Sequence, residues 1–242
     1  MKTVAIIQAR LGSTRLPGKV LKGITGKPML AHVVERVRRA SNVDLVLIAT
    51  TDLTRDDPLA QFCEEHDYPY SRGSESDVLD RYYHAAQEFE ADLVVRITSD
   101  CPLIDPDVIE QAITEHKALQ PDYTSNFVPD RTFPRGLDVE VFSWKILERI
   151  WREDNNPAWR EHVTCYIDFR QELFNIHCMK NEIDYSELRW TVDQPEDLEL
   201  IRRIYSHFND NDFSWLEVLK LFQKYPELKE INRNVEQKVI HE

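Results

Sequence analysis

Cysteine is scarce and poorly spaced for metal. The chain has four, at Cys63, Cys101, Cys165 and Cys178, and no C-x-x-C pair. A zinc knuckle is therefore not expected, and four free thiols in a reducing compartment are. No apolar run reaches the ~20 residues that a membrane helix needs. The run at residues 4–7 is too short for a signal-peptide core. Both absences predict a cytoplasmic chain with no membrane partner. Positive charge is also short, with 30 Lys and Arg against 43 Asp and Glu, a net −13. A general nucleic-acid binder needs the opposite balance. At 242 residues, 42% hydrophobic and 30% charged, the chain can bury a sizeable core as one large domain or two small ones.

The positive charge that exists is concentrated. Residues 1–40 carry nine Lys or Arg and a single acid, Glu35, so this segment is +8 and the rest −21. Within it, residues 8–19 read QARLGSTRLPGK, directly after an apolar run. This composition suits a small anion. Gly12 lets backbone N–H groups approach it, Ser13 and Thr14 offer hydroxyls, and Arg10, Arg15 and Lys19 offer charge. A solvated basic loop is the plain alternative. Two familiar phosphate loops are excluded by spacing. Five residues separate Gly12 from Gly18 where a Walker A loop has four, and Val20 follows the lysine where a magnesium-ligating hydroxyl belongs. The dinucleotide pattern fails at Thr14.

The periodicity predicts alternating strands and helices. Residues 2–9, 43–50 and 92–98 read as buried strands, with a short strand at 68–71. Pro28 opens a helix whose apolar face is Met29, Leu30, Val33, Val34 and Val37. Helices are also expected at 58–66, 77–89 and, from an Asp105 cap, 106–119. This pattern implies an α/β fold, Rossmann-like, with a mostly parallel sheet and helices on both faces. Such sheets bind ligands at the carboxyl ends of their strands, where both the 10–19 loop and Asp100 fall. The second half is less regular. Strands are expected at 137–142, 173–178 and 189–192, and helices at 144–152, 161–170 and 195–208. The predicted organisation is one domain over 1–208, with a regular first half (1–120) and a smaller mixed second half (121–208). A helical appendage at 209–242 follows.

Several phrases together resemble a known family. R-x-x-S-T-R-L-P-G-K after the first strand, then G-K-P-M-L-x-H-V, S-D-C-P-L-I-D, L-D-V-E-V-F, E-H-V-T and W-T-V-D-Q-P-E-D-L, look like the sugar-acid cytidylyltransferases. The CMP-3-deoxy-manno-octulosonate synthetases are the best-known members. The spore-coat polysaccharide biosynthesis branch is closer still. The resemblance spans roughly residues 1–208 and implies a nucleotide-diphospho-sugar transferase-like fold, with nucleotide binding in the first half (1–120) and acceptor binding in the second (121–208). It further implies CTP as donor, a sugar acid as acceptor, Mg²⁺ as cofactor and a homodimer paired through the second half. The aromatics Phe127, Phe133, Trp144, Trp151 and Trp159 lie in that half and serve equally well as core.

The carboxylates carry two readings each. Asp100, at the end of a strand, is a turn cap or a Mg²⁺ ligand, since Mg²⁺ on a nucleotide takes one or two carboxylates. Asp193 alone looks like a helix cap before Gln194-Pro195. The resemblance makes it the second metal ligand, bridging the α-phosphate and the acceptor. Asp197 is expected to complement a helix dipole. Asp138 and Glu140, two apart, are expected on one strand face, binding substrate hydroxyls or pairing with Arg135. The resemblance puts Glu161 and His162 at the acceptor pocket. It puts Arg72, Gly73 and Ser74, where the synthetases have S-G-T, at the nucleoside. Arg81 is expected to pair with Asp77 across one helical turn.

Three functions remain open on these residues. The leading one is nucleotidyl transfer: Arg15 and Lys19 hold the phosphates, and Asp100 and Asp193 hold the metal. A nucleotide-sugar glycosyltransferase of similar fold normally shows D-x-D, and here Thr98 stands two before Asp100. A non-catalytic nucleotide-binding protein would not need Asp100, Asp193, Arg15 and Lys19 together.

Overall fold

The computed structural model describes residues 1–237. The strands in chain order are β1 (Thr3–Gln8), β2 (Gly23–Ile24), β3 (Lys27–Pro28), β4 (Leu45–Thr51), β5 (Tyr70–Gly73), β6 (Leu93–Thr98), β7 (Tyr123–Ser125), β8 (Glu140–Ser143) and β9 (Ile176–Cys178). The helices are α1 (Met29–Val37), α2 (Asp57–Glu65), α3 (Val78–Glu88), α4 (Pro106–Leu119), α5 (Trp144–Glu153), α6 (Pro157–Arg160), α7 (Cys165–Phe169), α8 (Pro195–Phe208) and α9 (Trp215–Lys224). Seven strands form one sheet in the order β5-β4-β1-β6-β8-β7-β9, parallel except where β8 pairs with β6 and β7. β2 and β3 form a separate hairpin inside what reads as loop in the sequence.

β1 shows why the strands are continuous apolar runs. Ala5 and Ile7 enter a core with Val33, Ile113 and Ile201, while Val4 and Ile6 enter another with Leu79, Tyr82 and Leu147. Alternate side chains thus bury on opposite faces, each covered by helices. Chain order reverses beside β1, because β4 and β5 build outward on one side and β6 on the other. That reversal opens a crevice at the carboxyl ends of β1 and β6.

The second half extends the same sheet. Of the stretch expected as helix 161–170 only α7 is helical; residues 161–164 form a turn between α6 and α7 in which Val163 has a left-handed φ of 61°. The expected strand at 189–192 makes only one bridge, Arg135 to Arg189. The strand expected at 137–142 begins at Glu140, so Asp138 precedes it. The three-residue strand β7 has no counterpart in the expectation.

After α8 the chain returns to the main core. α9 starts with a capping box, Ser214 and Glu217, and buries Trp215, Val218 and Phe222 in the large core. Arg36, fully buried, ties this segment down through the carbonyls of Asn211 and Phe213 and that of Ile104. Asp105 caps α4 and also accepts the Trp215 N–H. The segment expected as an appendage therefore packs against the main core from Phe213 to Leu228, and 238–242 lie outside the described residues. No helix among the described residues is long and apolar enough to cross a membrane.

One buried acid yields a pH prediction. Arg96 on β6 donates to Glu140 on β8, its cross-strand partner. Asp168 on α7 faces the same group. Burial, then the Glu140 charge, pushes its carboxyl from 3.8 up to about 7, against the pull of Arg96. The folded chain therefore holds a proton that the unfolded chain has released, and stability falls as pH rises from about 4 through about 7. Asp168→Asn is expected to flatten that fall and to add about 2 kcal/mol at about pH 8, read from urea midpoints across the range. An unchanged slope would remove Asp168 as the source.

Candidate active site

The loop after β1 is shaped by its own backbone. Gly18 N–H and Ser13 N–H both donate to the Leu11 carbonyl, at 3.0 and 2.9 Å. Buried Asp56 accepts the Leu11 N–H at 2.6 Å and fixes the loop's base. Gly18 has a φ of 67°, which turns the chain into the short 3₁₀ turn Lys19–Leu21.

Two further segments meet this loop. Asp100 follows β6. The 191–193 segment is stitched to it, with Val192 N–H donating to the Asp100 carbonyl at 2.8 Å and the Thr191 hydroxyl at 3.2 Å. Gly136 backs this segment. A Cβ there would lie 2.7 Å from Trp190 C and Thr191 N, so only glycine admits the approach.

The three segments converge on one ammonium. Lys19 Nζ donates to Asp100 Oδ2 at 2.8 Å, the Val192 carbonyl at 2.8 Å and Asp193 Oδ1 at 3.0 Å. Arg15 Nη2 lies 2.8 Å from Asp193 Oδ1, and Arg189 Nη2 donates to Asp193 Oδ2 at 3.0 Å. Burial alone would lower the Lys19 ammonium, but the charges of Asp100 and Asp193 outweigh it and hold it above its usual value. Burial would likewise raise the Asp100 carboxyl, yet the Lys19 charge and hydrogen bond bring it down to about 2. Asp100 and Lys19 are thus both charged at neutral pH.

Around this cluster lies a cleft of about 410 Å³. Of the residues marked out by sequence, Arg10, Gly12, Ser13, Thr14, Arg15, Lys19, Asp100, Glu161, His162 and Asp193 line it. Arg10 reaches across to Glu161 at 3.4 Å and to Glu75 at 3.5 Å, joining the two halves of the chain. The other six lie outside the lining. Arg72 turns to the Thr51 and Leu53 carbonyls and to Asp57. Ser74 caps the turn into α3 by accepting the Asp77 N–H. Asp138 pairs with Arg131 rather than Arg135, and Glu140 is buried against Arg96. No ion pair joins Arg135 to Asp138 among the described residues, though Arg135 remains half-buried near Arg131 and Arg189.

Gln8, Thr98, Ser99 and Arg81 line the cleft without having been marked for it. Arg81 is buried, and its Nη1 donates to the Ser74 carbonyl at 2.8 Å, while Asp77 pairs with Arg160 instead. The sequence signal was Gly73. A Cβ there would sit 3.2 Å from Arg81 Cγ, so the glycine makes room for the arginine.

The whole arrangement has relatives. A cytidylyltransferase family model matches residues 4–235. The chain belongs to the cytidylyltransferase family. A cytidylyltransferase structure from Leptospira borgpetersenii serovar Hardjo-bovis superposes with a TM-score of 0.91 at 32% identity, covering 100% of both chains. The spore coat polysaccharide biosynthesis protein of Bacillus subtilis is 33% identical over 230 residues, 92% of this chain and 94% of that one. The 3-deoxy-manno-octulosonate cytidylyltransferase of Trichlorobacter lovleyi is 44% identical over 113 residues, 47% of this chain and 44% of its own. As a cytidylyltransferase, the chain is a nucleotidyltransferase on the mostly parallel, nucleotide-diphospho-sugar transferase-like fold that its sequence pattern anticipates.

Proposed function

We propose that the protein transfers CMP from CTP to a sugar acid, releasing pyrophosphate, for the assembly of a surface polysaccharide or related glycan. The observation that carries this reading is the convergence of the 10–19 loop, Asp100 and Asp193 on Lys19. The relatives named for polysaccharide biosynthesis and for octulosonate cytidylyl transfer supply the acceptor class.

The donor set suits Mg²⁺. Two hard carboxylates face one point, and no group of three His, Cys, Asp or Glu side chains converges among the described residues. Mg²⁺ characteristically takes one or two carboxylates and completes its shell with phosphate oxygens and water. Asp100 and Asp193 would hold it. When bound it supplies charge neutralisation at the α-phosphate.

The protein's own residues do the rest. The triphosphate competes with the aspartates for Arg15 and Lys19, which move from carboxylate to phosphate oxygens. Gly12, Ser13 and Thr14 present backbone N–H and hydroxyl donors to the same chain of phosphates. Glu161 and His162, which line the same cleft, orient the acceptor, whose oxygen attacks the α-phosphorus as the bond from phosphorus to the pyrophosphate oxygen breaks. Rate enhancement comes from positioning and fixed charge.

The same reading places the protein in the cytoplasm, where CTP is available, and pairs it as a homodimer through the second half. Trp159 there stacks on Phe169 at 5.1 Å while staying partly exposed. Light scattering reports the mass directly.

The deciding experiment incubates the protein with CTP, Mg²⁺ and a panel of sugar acids, with pyrophosphate release as readout. Release that requires one acceptor supports the proposal. Cleavage of a nucleotide sugar with no pyrophosphate from any acceptor overturns it in favour of a glycosyltransferase.

A further inference from the structure

The segment after α9 returns to the aspartates from behind. Asn232, only 6% exposed, donates from Nδ2 to the Arg189 carbonyl at 3.0 Å and to Asp197 Oδ1 at 2.9 Å. Arg189 in turn donates from Nε to Asp197 Oδ1 at 2.9 Å and from Nη2 to Asp197 Oδ2 at 3.2 Å. The same Nη2 reaches Asp193 Oδ2 at 3.0 Å. Asp197, fully buried, also accepts the backbone N–H of Asp193 at 2.9 Å. Gln237, at the end of the described chain, accepts from Arg189 Nη1 at 2.5 Å.

All three nitrogens of the Arg189 fork are therefore committed, and a planar fork cannot turn unless several bonds give together. Asp193 is held twice by this pair: its backbone by Asp197 and its carboxylate by Arg189. Its remaining oxygen, Oδ1, faces Lys19 and Arg15. Asn232 is the one buried residue from outside the 189–197 stretch that bonds to both Arg189 and Asp197 among the described residues.

We propose that the C-terminal segment is a positioning element for the site, acting through Asn232 on the Arg189–Asp197 pair and so aiming the Asp193 carboxylate at the centre of the cleft. This rests on the reading of Asp193 as a metal-holding residue. Groups one bond behind a ligand, here Arg189 and Asp197, typically account for 10–100-fold in metal affinity, and Asn232, one bond further back, is expected at the low end of that range. Asn232 is not the only anchor of this segment, because Leu228 enters the core and Tyr225 and Ile231 pack against it.

The test uses the full chain. CTP binding is measured by calorimetry in excess EDTA and again across a Mg²⁺ titration, for wild type, Asn232→Ala and Lys229→Ala. Lys229 sits on the same segment but its one ion pair among the described residues is with exposed Glu187, so its variant should match wild type throughout. Asn232→Ala should bind CTP in EDTA at least as tightly as wild type, since Arg15 and Lys19 are retained and a loosened Asp193 competes less for them. It should need about tenfold more Mg²⁺ for the same gain in CTP affinity. A correctly folded Asn232→Ala with an unchanged Mg²⁺ requirement overturns the proposal. If the alanine variant does not fold, Asn232→Leu keeps most of the side-chain volume, loses the donor without adding charge beside Asp197 and carries the same test. Asp193→Asn, run beside them, separates two failures. An unchanged Mg²⁺ requirement there overturns the reading of the site and this proposal with it. A raised requirement there, with none in Asn232→Ala, overturns the tail's part alone.

Discussion

Lys19→Ala is expected to cut turnover about a thousandfold, the upper range for removing one preorganised charge from a developing anion. The reason is its position at the meeting point of three segments that lie far apart in sequence. No neighbour can substitute. Arg15 contacts only Asp193 of the pair, and Arg189 approaches from the opposite side of that carboxylate. The variant also carries a stability signature. In wild type the Asp100 carboxyl titrates at about 2 instead of 3.8. Its ionised form thus contributes about 2 kcal/mol that is fully present above the unfolded value and is lost as pH falls from about 4 through about 2. Without Lys19 most of that contribution disappears: Asp100 loses its one salt-bridge partner among the described residues, while Asp193 keeps Arg15 and Arg189. Mg²⁺ should then raise the melting temperature of Lys19→Ala more than that of wild type, which thermal shift with and without Mg²⁺ reads directly. Turnover within a few fold of wild type would remove Lys19 from the chemistry.

The parts of this site legible in sequence were those fixed by local rules. A glycine and hydroxyl loop after an apolar strand, and an aspartate at the end of another such strand, locate themselves once the sheet is parallel. The register of β1 with β6 then brings their ends together. What stayed hidden was set by long-range pairing. Glu140 reads as a substrate ligand because alternation puts it on a polar face. The antiparallel register of β8 places it opposite Arg96, 44 positions away, and the pair buries. Arg72 lies on β5, the edge strand, and which way an edge side chain turns depends on the neighbouring loop, here residues 51–57. Asp77 and Arg81 have ideal helical spacing, yet Arg160 outcompetes Arg81 for the acid from another element. The helix at 161–170 looked continuous by period, and Val163 is a residue type that rarely takes a left-handed φ. Asn232 carried no local signal at all, since its two acceptors lie 43 and 35 positions away.

Asp193→Asn and Asp100→Asn should both abolish most turnover, by about a hundredfold or more, but they should part company in every other measurement. Asp193 is 8% exposed and serves three cations: Arg15, Lys19 and Arg189. Asp100 is 25% exposed, and its one salt-bridge partner among the described residues is Lys19. Neutralising Asp193 therefore leaves a buried excess of positive charge, and breaking buried pairs from one side costs about 3–5 kcal/mol. Neutralising Asp100 forfeits only its own depressed titration, about 2 kcal/mol. Asp193→Asn should consequently melt well below Asp100→Asn. The surplus positive charge has a second consequence. In excess EDTA the triphosphate no longer competes with Asp193 for Arg15 and Lys19, so Asp193→Asn should bind CTP more tightly than wild type while turning it over far more slowly. Asp100→Asn should show a smaller gain, because it loosens Lys19 alone and Asp193 still holds both Lys19 and Arg15. Calorimetry in EDTA, melting curves and pyrophosphate release on the same preparations give all three comparisons. Equal CTP affinity in the two variants would mean that the aspartates do not hold the cations in reserve for phosphate, and the electrostatic account of the cleft would fall.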